Sequence, residues 1–208
     1  MKKIVKLRFQ YWYFGSQCVR VPLMQFEDIE GDSEDTIELV PIPRVLFSEY
    51  ENRPFKICTR CGESLAHFKE GYRISKVFKA QETIFEYALC VPCLQNMAEE
   101  SSAESRDALF DFQFSRLRDV KGYHECAYCD RPEAPTTEGH PQEYGLAAIC
   151  MGEQMAEANR ICSLCMDEMS ELVSEETRRG WDRFVEENFP GVPVDFEPFP
   201  QRDAPAFL

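Results

Sequence analysis

Long apolar runs are missing from this sequence: no stretch of 18 apolar residues occurs, which excludes a membrane-spanning helix on thickness grounds. Met1-Lys2-Lys3 carries the charge of a signal-peptide start, but Lys6, Arg8 and Gln10 interrupt the apolar run that should follow, and no small-residue cleavage site appears. That segment is expected to be a strand and the protein cytoplasmic. Histidine is scarce, at three residues, and no His-Glu-x-x-His, glycine-rich phosphate loop or Gly-x-Ser-x-Gly elbow occurs. With so little material for acid–base chemistry, an enzyme is not expected. Positive charge is in deficit too: 23 Lys and Arg stand against 37 Asp and Glu, a formal net charge of -14. Such a field repels phosphate backbones and disfavours sequence-independent nucleic-acid binding. A basic protein partner suits the balance, and the acidity also keeps the chain soluble.

Cysteine, by contrast, is abundant. Eight of the ten fall into four Cys-x-x-Cys pairs: Cys58/Cys61, Cys90/Cys93, Cys126/Cys129 and Cys162/Cys165. Two intervening residues let both sulfurs converge on one tetrahedral metal at about 2.3 Å, while turn amides donate to the sulfurs. Each pair therefore supplies half a site, and four half-sites combine either sequentially or in an interleaved cross-brace.

An internal repeat favours sequential pairing. Aligning Cys93 with Cys165 sets Met97 against Met169, Ser102 against Ser174, Glu104 against Glu176, Ser105 against Thr177 and Arg106 against Arg178 without a gap. Leu109 then meets Trp181, and Phe112 meets Phe184. Duplication of one unit explains the agreement, so each unit should own one metal. In each unit the first pair is a knuckle and the second opens a helix, whose positive N-terminus favours thiolates. Ser102 and Ser174 are expected to N-cap a second helix that buries Trp181 and Phe184 in the second unit, with Leu109 and Phe112 as the corresponding stripe in the first. Met97 and Met169 read as core residues under the sites. Arg106 and Arg178 read as structural ion pairs or helix-surface residues, with ligand binding as the alternative.

The connections inside the units differ. Tyr72–Phe78 and Thr83–Leu89 are β-branched and aromatic around Ala80-Gln81-Glu82, the pattern of a hairpin. The second connection contains Pro132, Pro135, Gly139 and Pro141, and Met151–Arg160 reads as helix. The order knuckle, hairpin, helix resembles treble-clef and zinc-ribbon modules over residues 56–114 and, more loosely, 122–189. The resemblance implies an α+β fold of two tandem units (knuckle, hairpin or loop, helix) behind an N-terminal β segment. It implies two zinc ions, held by Cys58, Cys61, Cys90 and Cys93 and by Cys126, Cys129, Cys162 and Cys165. Two such sites would take the net charge to about -18.

Other uses of the cysteines remain to be weighed. A reducing cytosol and the close repeated spacing argue against disulfides, and four thioredoxin-like pairs lack a βαβ context. Iron in a rubredoxin-like cage is permitted by the same spacing. Cys18 and Cys150 read as buried small hydrophobes, with Cys150 an alternative fourth ligand of the second site. His124, two positions before Cys126, reads as packing on the site without ligating. Complete four-cysteine sets leave a tetrahedral metal no open position.

The chain is thus divided into an N-terminal β segment (1–55), a first unit (56–118), a second unit (119–190) and a proline-rich tail (191–208). Ile4–Phe14, Thr36–Val40 and Arg44–Phe47 are expected strands, and the acids from Glu27 to Glu38 around Gly31 an exposed loop. Phe9, Tyr11, Trp12, Tyr13 and Phe14 with Lys2, Lys3, Lys6 and Arg8 form a basic aromatic patch, read as a half-buried strand, with base stacking as the alternative. Five of the last nineteen residues are proline, so the tail should be extended. Together these features point to a zinc-stabilised adaptor or regulator that binds another protein. A nucleic-acid-binding zinc protein using the N-terminal strand is the alternative.

Overall fold

The computed structural model describes residues 4–6, 8–14, 17–23, 36–120, 122–131 and 143–190. The acidic stretch before Thr36, the prolines and Gly139 of the second connection, His140 and the tail after Pro190 lie outside the described residues, as do the side chains of Cys18 and of the N-terminal basic aromatic patch. The expected first strand is divided into β1 (Ile4–Lys6) and β2 (Arg8–Phe14); β2 pairs with β3 (Gln17–Leu23), and β1 with β4 (Thr36–Glu38). The chain then enters the main body through β5 (Val40–Pro41).

Arg44–Phe47 is not a strand, as its sequence suggested, but a 3-10 turn over Arg44–Leu46. Pro43 sets the entry with φ -71, and Leu46 and Phe47 N–H close back on the Pro43 and Arg44 carbonyls at 2.9 and 3.0 Å. The tight turn drives Leu46 fully into the core, a burial that outweighs the strand propensity of Val45 and Phe47.

The body is a five-stranded antiparallel sheet in the order β5-β9-β8-β6-β7. Its strands are β6 (Tyr72–Lys79), β7 (Glu82–Cys90), β8 (Glu143–Met151) and β9 (Gln154–Cys162), with α1 (Val91–Glu100) and α2 (Ala103–Arg116) after β7 and α3 (Ser163–Glu171) and α4 (Glu175–Asn188) after β9. The helix expected over Met151–Arg160 is therefore a correction: those residues close the second hairpin around Gly152, at φ +55, and run up β9. Gln, Met, Ala and Glu favour helix in isolation, but pairing along β8 overrides so weak a preference. The second unit thus has the same order as the first.

The frame that aligns Cys93 with Cys165 also superposes β7 on β9, α1 on α3 and α2 on α4 in sequence, and the two copies face each other across a pseudo-twofold axis. The register of β6 against β8 sets Ser75 opposite Ala147, its own counterpart, and Phe78 opposite Tyr144, whose rings stack at 4.9 Å. The axis reappears between the helices. Ser102 and Ser174 cap α2 and α4 through the Ser105 and Thr177 N–H groups, and their hydroxyls meet at 2.8 Å. Ser102 N–H donates to Thr177 Oγ1 at 2.9 Å, and reciprocally Ser174 N–H donates to Ser105 Oγ at 2.8 Å. The repeated Ser and Ser/Thr positions therefore form a second contact between the copies. Each second helix also crosses over: Trp181 and Phe184 of α4 pack on Tyr87 of β7, while Phe112 of α2 packs on Tyr128, Cys126 and Cys165 of the other half.

Alternate residues of β6 and β8 point to one face, where Tyr72, Ile74, Phe78, Leu146, Ala148 and Cys150 join Ile42, Leu46 and Leu65 in the core. Lys76 lies among them with its side chain 1% exposed. Its ammonium donates to the Phe47 carbonyl at 2.6 Å and meets Glu86 Oε2 at 3.0 Å. Glu86 in turn accepts from the Ser48 hydroxyl and the Glu49 N–H, both at 2.9 Å, so the pair staples residues 47–49 to the sheet. Removing one partner strands a buried charge, whereas neutralising both does not. Lys76→Met should therefore cost about 3 kcal/mol or more in urea unfolding of the metal-loaded protein, and Lys76→Met with Glu86→Gln should recover most of that loss.

Candidate metal centres

Residues 57–64 form the first knuckle. Ile57 bridges Ser64, Cys58 N–H donates to Glu63 O at 2.8 Å, and Gly62 N–H returns to Cys58 O at 2.9 Å with Gly62 at φ +73. Glycine takes that conformation without strain. The knuckle is strapped to the end of β7 by Thr59 N–H to Ala88 O at 2.8 Å and Ala88 N–H to Thr59 Oγ1 at 3.1 Å. Cys58 thereby meets Cys90, the N-cap of α1, and Cys93 in its first turn. The second site repeats the device: Cys126 bridges Arg160, Ala127 N–H donates to Arg160 O at 2.8 Å, and Cys162 is the N-cap of α3.

Cys58, Cys61, Cys90 and Cys93 form one group and Cys126, Cys129, Cys162 and Cys165 another, with all sulfurs of a group within 4.8 Å of one another. Cys61 and Cys90 Sγ are 3.9 Å apart, and Cys129 and Cys162 Sγ 3.6 Å. Four sulfurs on a tetrahedral ion with bonds of about 2.3 Å lie about 3.8 Å apart, whereas a disulfide needs about 2.05 Å. The donor set and its spacing fit a metal ion, so each group could hold one. Because β6 and β8 are antiparallel, the groups sit at opposite ends of the sheet, on the order of 20 Å apart, and cannot share a binuclear centre.

Backbone amides are already aimed at the sulfurs. Cys90 N–H donates to Cys58 Sγ at 3.4 Å and Cys162 N–H to Cys126 Sγ at 3.5 Å, the same bond in both copies; Tyr128 N–H adds another to Cys126 at 3.5 Å. Burial alone would raise Cys58, but the N–H groups of Cys61, Cys90 and Arg60 outweigh it and lower its pKa. Cys126 is lowered chiefly by the Cys162 thiol. Burial raises Cys90, Cys93 and Cys165, while Cys162 is raised first by its bond to Cys126. Each group thus sets one lowered thiol, Cys58 or Cys126, beside thiols that are raised.

Cations surround the second group. Arg131 donates to Cys165 Sγ at 3.5 Å and to Glu168 at 2.7 Å, and Arg118 donates to the Cys126 and Cys129 carbonyls at 3.1 and 2.6 Å. Four thiolates around a divalent ion carry a net charge of -2, which these guanidiniums offset. Neither arginine was singled out by the sequence, although a cation two positions past Cys129 in so acidic a chain was a usable signal. His124 stays outside the group: its carbonyl accepts from Arg160 and its ring lies against Tyr123. Cys150 is fully buried on the core face opposite Tyr72, and burial pushes its thiol up to about 12. Arg106 and Arg178 cap carbonyls at the ends of the preceding helices, Arg106 on Ala98 and Ser101, Arg178 on Ser170 and Val173. Among the described residues their guanidiniums thus serve the helix ends and form no ion pair.

No family model matches the chain, and no curated protein or solved structure matches it. The centres therefore rest on their own geometry.

Gently purified protein should carry two equivalents of metal by elemental analysis, and Cys90→Ser or Cys162→Ser one or fewer, with marked loss of solubility. Metal binding in such modules is worth on the order of 10 to 16 kcal/mol, comparable with a domain's net stability. Affinity should also fall with pH. The raised thiols must give up protons to bind, so each proton displaced weakens binding about tenfold per pH unit on acidification. Competition with a chromophoric chelator between pH 8 and 6 measures this, and a flat profile would contradict thiolate ligation.

Proposed function

We propose that this chain is a zinc-stabilised adaptor or regulatory protein of two tandem treble-clef-like units that acts by binding another protein. The observation that carries the reading is the pair of complete four-sulfur groups, each at the junction of knuckle, hairpin and helix. Four thiolates fill a tetrahedral ion, so both zincs are structural and neither offers water or substrate a position. All-sulfur donors favour zinc over harder cations, with iron the competitor. A reducing compartment such as the cytoplasm keeps the sulfurs available as thiolates.

What the partner meets is suggested by α2. Phe114 is 74% exposed and Leu117 52%, and Phe110 stacks on Phe114 at 5.6 Å. The counterparts of Phe110 and Phe114 in α4 are Asp182 and Glu186, so the repeat does not demand aromatics there. With Asp107 and Asp111 on the same helix, the surface suits a protein presenting apolar side chains within a basic rim.

Capture with the tagged, metal-loaded protein should recover a specific basic partner, and Phe114→Asp should weaken that complex at least tenfold without changing metal content. Tight binding of purified nucleic acid at physiological salt, abolished by Lys3, Lys6 and Arg8→Ala, would instead establish the nucleic-acid reading.

A further inference from the structure

The two four-cysteine groups are built alike in backbone and differ in charge. Cys90 N–H donates to Cys58 Sγ at 3.4 Å in the first, and Cys162 N–H to Cys126 Sγ at 3.5 Å in the second. Two positions beyond the second cysteine of each knuckle the sequences part: Cys61-Gly62-Glu63 answers to Cys129-Asp130-Arg131, an acid in the place of a guanidinium. Arg131 donates to Cys165 Sγ at 3.5 Å and is held there by Glu168 at 2.7 Å. In the frame that aligns Cys93 with Cys165, the counterpart of Glu168 is Asn96, so the first copy lacks both members of the pair. Its own knuckle arginine, Arg60, donates to Glu100 on α1 at 2.5 Å. Among the described residues no side-chain cation donates to a sulfur of the first group.

We propose that the two groups are a loose and a tight metal site and that Arg131 sets the order: the Cys126 group fills first and empties last, so the one-metal form of the protein carries its ion there. The inference rests on the reading of both groups as metal centres. Four thiolates on a divalent ion leave a charge of -2. A cation on one of the sulfurs stabilises that loaded centre more than the empty, protonated one, and an acid in its place does the reverse. The Arg131 side chain is 39% exposed, so salt screens part of the effect. A falling metal supply then releases the Cys58 knuckle while the second half stays assembled.

Withdrawing zinc from the metal-loaded full chain with a graded chelator tests this. Once one equivalent has left, thiol alkylation read by peptide mass spectrometry should label Cys61 and Cys90 while Cys129 and Cys162 stay protected. Arg131→Gln should weaken the second centre about 10- to 100-fold and narrow the gap between the sites, as should high salt, whereas Arg131→Lys should keep part of it. Glu63→Arg with Asn96→Glu, which moves the pair to the first centre, should tighten that centre about tenfold. Metal leaving the Cys126 group first would overturn the proposal, and so would a gap that neither Arg131→Gln nor the transferred pair changes. Two equal affinities would overturn it while leaving two metal sites standing; a chain that takes up no zinc at either group would remove the metal reading with it.

Discussion

The antiparallel pairing of β6 with β8 is the contact on which the rest of this molecule depends. A two-stranded hairpin is marginal alone, and each copy of the repeat has only one. Pairing the first strands of the two hairpins makes a sheet wide enough to carry a core on both faces, and it does so with counterparts opposed, Ser75 to Ala147. The same symmetry brings Ser102 to Ser174 at the helix caps, where each copy's backbone N–H is satisfied by the other's hydroxyl. The copies are therefore not two beads on a string. Each supplies a helix to cover the other and a hydroxyl to finish its cap.

The four-cysteine groups lie at the ends of that sheet, where strand pairing stops helping. A knuckle held only by its own turn would fray, but at each end its backbone is tied to the last residues of a hairpin, through Thr59 to Ala88 and Ala127 to Arg160. The sulfurs then join two segments remote in sequence, and the N–H groups that open α1 and α3 face sulfurs instead of being left without partners. Helix start, strand end and knuckle are fixed by one cluster of four atoms.

Most of this was legible where the repeat was legible. Cysteine spacing gave the two groups, and Ser102 and Ser174 announced both second helices, because caps and ligands are set by local chemistry that survives duplication. The second hairpin was missed because Gln154, Met155, Ala156, Glu157, Ala158 and Asn159 carry almost no strand preference of their own. Their partner strand makes them a strand, and the clue lay in the frame already in use, where Tyr72 meets Tyr144, Ile74 meets Leu146, Val77 meets Ile149 and Leu89 meets Ile161. Lys76 was invisible for the opposite reason. A lysine in an alternating strand reads as an outward residue, and only the folded chain brings the Phe47 carbonyl and Glu86 to its ammonium.

Divergence between the copies has left them unequally dependent on their cysteine groups. In the first half α4 rests on aromatic residues of the sheet, Phe85 and Tyr87, which join a core continuous with Ile74, Leu89 and Phe184. Their counterparts in β9 are Glu157 and Asn159, which offer α2 no such surface. Phe112 packs instead on Tyr128 and on the cysteines, so two of the three buried members of that smaller cluster, Cys126 and Cys165, belong to the candidate metal centre. Where the first centre braces a core that hydrophobic burial already holds together, the second is itself the middle of the core it supports. Arg131 and Arg118 belong to the same adaptation: in a half whose cohesion runs through its cysteines, Arg131 places a guanidinium on Cys165 Sγ and Arg118 fastens the Cys126 and Cys129 carbonyls.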